Sequence, residues 1–553
     1  MNRMTRSICA VLFAATGCTA AWAHGDDDGP HSGRPEQLGE VNFPVSCTVA
    51  AQQEFNRGIA LFHSFWFEPA KASFAKVIAD DPTCGMAHWG TAIMAMGNPF
   101  TWPTNPNASR AGAPAAAVAQ QVGAKSERER DYIAALATFF KDWESIDFRP
   151  RAVAFEQAMA GVAAKYPTDD EAQILYALAL NITAQPSDKS FANQKKAAAI
   201  LEPLFKKYPK HPGVAHYLIH TYDYAELAEQ GLPSARAYGA IAPSVPHALH
   251  MPSHIYSRVG LWPEMVSSNR ASYLAARDEL KKTTLDFGAY DALHAMDYMD
   301  YMVFAQLQQA QDRPAKELVD EAGAIRQVNV QNFPAAYAFA AMPARYALER
   351  GDWAAAAKLS LSPPDMAWNK FPHAEAILVF ARGLGAARSG DLVAARQDVE
   401  RLQALKAAML AAKMSYWPGQ ADFQIAAVQA WIALGEQRND EALQLMRAAA
   451  TAEEASDKHP VTPGNVVPSR ELLGEMLLVL GQPGAALAEF ERSLKRNPNR
   501  FRGLAGALQA AEAVGDNGAA RRHASALLAL SAFRDSERPE LARARAVLAA
   551  HKI

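Results

Sequence analysis

The sequence predicts an all-α solenoid, a stack of antiparallel helix pairs, and three observations carry that expectation. Hydrophobic residues fill 50% of the 553 positions while β-branched and aromatic runs are sparse, a balance that favours helix over sheet. In EFNRGIALFHSFWFEPAKASFAKVIADDP, Gly58, Leu61, Ala70, Phe74, Val77 and Pro82 fall at relative spacings 0, 3, 12, 16, 19 and 24. Near the C-terminus, Gly474, Leu477, Ala486, Phe490, Ser493 and Pro498 repeat the same spacings.

These are the spacings of a tetratricopeptide (TPR) unit. The small residues let two helices approach closely, the aromatic fills the gap between them, and proline ends the second helix. Continuing by 34 residues gives Leu508, Ala520, Ala524 and Leu527, and further units centre on Gly351-Asp352-Trp353, Gly390-Asp391 and Ala442. The expected fold is therefore a TPR-type α-solenoid, a right-handed superhelix of helix pairs. Residues 98–125, rich in Pro, Asn and Gly, are expected as a long loop insertion. Shorter breaks fall at 184–193, 358–374 and 455–469. The array divides weakly near residue 355, into an N-terminal body over 47–355 and C-terminal repeats over 356–553.

The N-terminus has the pattern of an export signal over residues 1–23. Arg3 and Arg6 are the positive end, Ile8 to Ala15 the apolar core, and Ala21-Trp22-Ala23 a small-x-small cleavage site. A lipoprotein signal anchored through Cys18 is the alternative. Both readings take the protein out of the cytoplasm, to the periplasm. Residues 24–46 then form a disordered acidic leader. Cys47 and Cys84 remain, and in an oxidising compartment they can form one disulfide. The net charge of −3, without blocks of like charge, gives no reason to expect nucleic acid as a partner. After residue 30 no apolar run reaches the roughly 18 residues of a membrane span.

The histidines are concentrated. Six of 15 lie between His216 and His294: His216, His220, His247, His250, His254 and His294. His216 and His220 stand four apart, as do His250 and His254, and the second pair follows the first by 34 residues. In the repeat register the pairs occupy positions 5 and 9 of successive first helices, with Asp223 at position 12. Residues three and four apart share a helix face. Successive first helices pack side by side at roughly 8–10 Å, so both pairs would face one space. Two imidazoles at i and i+4 can bind one metal ion, with further ligands from a neighbouring helix. A third helix, YDALHAMDYMDY, is expected to put Tyr290, His294, Asp297 and Tyr301 on one face.

Three readings of this constellation stand. It binds a transition metal, zinc or copper first, iron or manganese if Asp223 and Asp297 join. It is a polar groove for a small molecule or peptide. Or it is structural, its pairs copied by tandem duplication of a repeat. His63 and His88 are weaker candidates, more simply taken as buried helix residues, with His88 the nearer to the groove. No phosphate loop, G-x-S-x-G elbow or H-E-x-x-H motif occurs. Whether the protein is an enzyme stays open. The rival to a metal site is a scaffold binding a peptide or protein along the concave groove.

The blocks FNRGIALFHSFWFEPAKASF, DPTCGMAHWG, HPGVAHYLIHTYD, APSVPHALHMPSHIYSRVGLW and ALHAMDY together resemble a group of exported bacterial TPR proteins. The resemblance covers residues 54–298. It implies the solenoid, and a concave groove lined by the first-helix stripe, but no substrate or reaction.

Overall fold

The structure, a computed structural model, describes residues 36–100, 106–185, 187–281, 289–290, 295–328 and 331–550, without the side chains of 106–108, 280–281, 289–290 and 295–297. These described residues form one compact unit. Antiparallel helix pairs follow one another along it, as the repeat spacing requires. The first are α1 (Val49–His63), α2 (Phe67–Asp80), α3 (Gly85–Met94), α4 (Pro106–Val122), α5 (Glu127–Phe140), α6 (Phe148–Lys165), α7 (Asp170–Thr183) and α8 (Ala192–Lys207).

The packing rule expected from the sequence is visible at two places far apart in the chain. The Phe74 ring lies between two glycines: a Cβ on Gly58 would stand 2.9 Å from it, and one on Gly90 2.4 Å. Phe490 is caught in the same way, 2.7 Å from a Cβ built on Gly474 and 2.3 Å from one on Gly506. Both rings are fully buried. The glycines are small because a ring occupies the space a side chain would need. One apolar core runs from Leu38 to Ala305, a second from Met299 to Ala510, and a third joins Ala310 to the helices beyond Phe501. The main handover between cores thus falls in the segment 299–305.

Cys47 and Cys84 are joined in a disulfide with Cα atoms 5.0 Å apart. It closes 37 residues around the first helix pair, a loop whose constraint on the unfolded chain contributes about 3–4 kcal/mol in the chain-entropy account.

Two sequence expectations are corrected. The 98–125 stretch is not one long loop, because Pro106–Val122 forms a helix, α4, with Pro114 inside it. Its alanine-rich run outweighs the one lost backbone bond, and Gly112 lets the helix settle on Phe140, 2.2 Å from a hypothetical Cβ. The expected helix over 290–301 is also broken. Ala289–Tyr290 pairs as a two-residue parallel ladder with Gln327–Val328, and Ala295–Asp300 is π-helical before an α-helix at Tyr301–Gln308. A π-helical turn is wider than an α turn, so the three-and-four spacing no longer defines one face there. The side chains of His294, Asp291 and Asp297 lie outside the described residues. So does the N-terminal segment through residue 35, with the expected signal, Cys18 and most of the leader. Among the described residues, no helix is long and apolar enough to cross a membrane.

Candidate functional site

The site begins with the segment His211-Pro212-Gly213, which opens α9 (Pro212–Tyr222). His211 caps the helix, its Nδ1 accepting the Val214 N–H, and Pro212 takes the first helical position, where no N–H is needed. Gly213 permits close approach to α1, because a Cβ there would lie 2.6 Å from His63 Nδ1. Then α9 carries His216 and His220. After α10 (Leu232–Ile241), the chain forms α11 (Pro246–His250) and α12 (Pro252–Val259), with Pro252 dividing the two short helices. α12 packs beside α9, which brings the pairs together as the 34-residue register required.

His216, His250 and His254 are buried, and His220 and His247 nearly so. Ligand-capable atoms of His216, His220 and His247 all lie within 4.8 Å of one another. His250 and His254 face each other with Nε2 atoms 3.0 Å apart, and His216 and His220 with Nε2 atoms 3.2 Å apart. The two halves adjoin, with the ring centres of His247 and His250 at 5.8 Å and those of His220 and His254 at 6.0 Å. Five of the six sequence-identified histidines are therefore neighbours.

The outward nitrogens are held by acceptors. His216 donates from Nδ1 to the His63 carbonyl at 2.6 Å. His250 Nδ1 donates to Asn269 Oδ1 at 2.7 Å, and the Asn269 amide is oriented by its own N–H on the Met265 carbonyl. His254 Nδ1 donates to Asp223 Oδ2 at 3.1 Å. These partners fix the tautomers. With Nδ1 carrying the proton, each of these three rings turns an Nε2 lone pair inward. His220 can still donate to His216, so the first pair closes as an ordinary hydrogen bond. The second pair brings its Nε2 atoms equally close, at 3.0 Å, with both Nδ1 atoms engaged by Asn269 and Asp223.

Asp223 therefore stands behind His254, not among the inward nitrogens. It also accepts from Arg258 Nε at 2.8 Å and Lys458 Nζ at 2.6 Å. Burial by itself would raise its pKa, but the two cations outweigh burial and hold the carboxyl well below the usual range. Burial pushes the Lys458 ammonium down to about 8 against the pull of Asp223. Burial, followed by repulsion from neighbouring histidines, likewise holds His216 and His220 well below the ordinary imidazole value. Both are neutral at physiological pH and keep their lone pairs.

A wall of rings encloses the cluster. Phe65, at a left-handed backbone position with φ 53°, packs on His216 at 4.5 Å and on His247 at 5.7 Å. Phe100 stacks on His220 at 4.0 Å, and Tyr301 lies 4.8 Å from His250. Sequence reading missed Phe65, Phe100, Asn269, Arg258 and Lys458. Asn269 is 19 residues from its histidine and Lys458 is 235 residues from its aspartate, separations with no local signal. The expectation for the weaker histidines is reversed: His63 reaches the site through its carbonyl, while His88 bonds the Pro82 carbonyl elsewhere.

A second cluster adjoins the first. His63 and His211 each place Nε2 at 3.0 Å from a different oxygen of buried Glu171. His211 Nδ1 is already an acceptor, and His63 Nδ1 meets the Tyr217 hydroxyl at 2.9 Å. Two N–H donors thus meet one carboxylate, and nothing is left over.

The loop between Ala455 and Ser469 crosses the same region. Besides Lys458 on Asp223, its carbonyls accept from Tyr416 at Asp457, Tyr301 at Val461, and Arg345 at Gly464 and Asn465. Arg345 is itself paired with Asp300 of the π-helical turn, both fully buried. The C-terminal repeats are thereby tied to the histidine helices.

No protein-family model matches the chain, and no curated protein matches it in sequence. Among solved structures it is similar to the APC/C hetero-tetramer Cut9-Hcn1, at 13% identity over 92% of this chain and 79% of that chain, TM-score 0.34. It is also similar to the human IFIT1 dimer with PPP-AAAA, at 10% identity over 86% of this chain and 89% of that chain, TM-score 0.36. Similarity this low transfers no property of either protein to this chain.

Proposed function

We propose that this is an exported TPR-type solenoid whose histidine cluster binds a transition metal, zinc or copper, through His216, His220, His247, His250 and His254. The observation that carries the reading is the convergence of imidazole nitrogens: the Nε2 atoms of His250 and His254 stand 3.0 Å apart, next to His216, His220 and His247, whose ligand-capable atoms lie within 4.8 Å of one another. Two ligands at 2.0–2.1 Å from a tetrahedral ion stand about 3.3 Å apart, so the spacing suits a shared cation. Asn269, the His63 carbonyl and Asp223 have the role of outer partners, fixing ring orientation from the far nitrogen as metal-binding histidines require. His294 and Asp297 remain candidate ligands. Imidazole-rich ligation is the basis for zinc or copper over harder ions, and the disulfide fits an oxidising compartment.

The test is elemental analysis of untagged protein, with one or two metal ions per chain expected. A His250→Ala, His254→Ala variant that keeps the wild-type metal content sinks the proposal. The groove-binding scaffold is the weaker alternative, because the 456–468 loop already occupies the space in front of Asp223 and Tyr301.

A further inference from the structure

Next to the Arg258 and Lys458 side chains that hold Asp223, the molecule has polar atoms that neither the fold nor the histidine cluster uses. Where residues 453–470 pass between α12 and the helix Pro483–Arg496, they leave a cavity of about 70 Å³. One water needs roughly 10–15 Å³ of such space, so about five non-hydrogen atoms fit. Arg258, Asp457, Lys458, Ser493 and Arg496 contribute to its wall.

Three of these side chains are incompletely used. Asp457 is buried, its Oδ1 accepting from Arg258 and from the Lys458 backbone N–H, while Oδ2 has no hydrogen-bond partner. Ser493, 2% exposed, has none for its hydroxyl. Arg496 is held by the carbonyls of Glu454 at 3.0 Å and Ser456 at 2.9 Å, with no carboxylate at ion-pair distance among the described residues. The nearby carboxylate of Glu453 is engaged by the backbone and hydroxyl of Ser469. An acceptor without a donor, a hydroxyl without a partner and a cation without a counter-ion thus border one small space. Buried polar groups are ordinarily satisfied, and those that are not call for a partner.

We propose that this cavity binds a small carboxylate carrying a hydroxyl or amino group on the adjacent carbon, of the size of glycolate or glycine. The carboxylate meets Arg496, the adjacent donor meets Asp457 Oδ2, and the Ser493 hydroxyl bonds the ligand between them. The site is separate from the proposed metal centre, and its occupancy is measurable on metal-free protein.

The experiment is calorimetric titration of metal-free full-length chain with glycolate, glycine and acetate. Glycolate or glycine should bind with a Kd below roughly 10 mM, and acetate, which lacks the donor for Asp457, at least about tenfold more weakly. Ser493→Ala should leave the ligand-free melting temperature unchanged or higher, since it removes an unpaired buried hydroxyl, and should weaken binding about tenfold. That pattern separates a binding role from a structural one. Acetate binding as tightly as glycolate and glycine, an unchanged affinity in the folded Ser493→Ala variant, or no saturable binding of any of the three overturns the proposal.

Discussion

Two histidine clusters lie side by side in this protein, joined through His63, and they close in opposite ways. In the first, His63 and His211 point N–H groups at Glu171, and the buried charge is answered by two donors. In the second, His250 and His254 commit their N–H groups outward, to Asn269 and Asp223, and bring their Nε2 atoms within 3.0 Å of each other. Both clusters consist of buried imidazoles at hydrogen-bonding distance, and His63, His211 and Glu171 also have metal-ligand spacing. The difference lies in proton placement: one set points its N–H groups inward at a carboxylate, the other points them outward and gathers ring nitrogens within.

Breaking the closed cluster gives the largest expected effect. Glu171→Ala strands two buried N–H donors and should cost about 3–5 kcal/mol, read from the denaturant midpoint, with the loss equal in metal-loaded and metal-free protein. An effect confined to metal-loaded protein would make the first cluster a metal site as well. The open cluster is the converse case. Metal at about a thousand times its Kd should stabilise the fold by about 4 kcal/mol, an increment a chelator removes. The increment should survive Glu171→Ala if that variant folds, and vanish in the His250→Ala, His254→Ala variant.

Acidity sharpens the same contrast. Burial lowers the folded-state pKa of His216, so below about pH 6.5 the unfolded chain binds a proton that the folded chain refuses. The metal-free protein should therefore hold its full stability above that pH. It should lose about 1.4 kcal/mol per pH unit from this group as pH falls below it, until the folded value is reached. His220 adds a contribution of the same sign. Bound metal should be released over the same range, because protons compete for the same nitrogens. A flat stability profile from pH 7 to pH 5 would contradict the neutral tautomers. The smallest effect is expected at the outer partner: Asn269→Ala should weaken metal binding about 10- to 100-fold, measured by competition with a chromophoric chelator. Unchanged affinity would remove Asn269 from the design.

Much of this was legible in the residues. Gly58 and Phe74, or Gly474 and Phe490, sit at spacings that only a close-packed helix pair explains, and the structure puts each ring against its glycine. The 34-residue offset of the His216/His220 and His250/His254 pairs placed them on neighbouring helices. Reading failed where local composition and tertiary packing disagree. Pro, Asn and Gly at 98–125 suggested a loop, but alanine and the seat of Gly112 on Phe140 made a helix. The run from Tyr290 to Tyr301 looked helical, but it starts in a two-residue ladder and passes through a π-helical turn anchored by the buried Asp300–Arg345 pair.

The sequence alone determined the array and the neighbourhood of the two pairs, because a repeat unit is a local object whose spacing is written in consecutive residues. Only the tertiary structure decided what those histidines are. Which nitrogen carries the proton depends on Asn269, on Asp223 with Lys458 behind it, and on the His63 carbonyl. Those acceptors come from 19, 31 and 153 residues away from the histidines they hold. A hydrogen bond over that separation follows from packing and leaves no pattern along the chain.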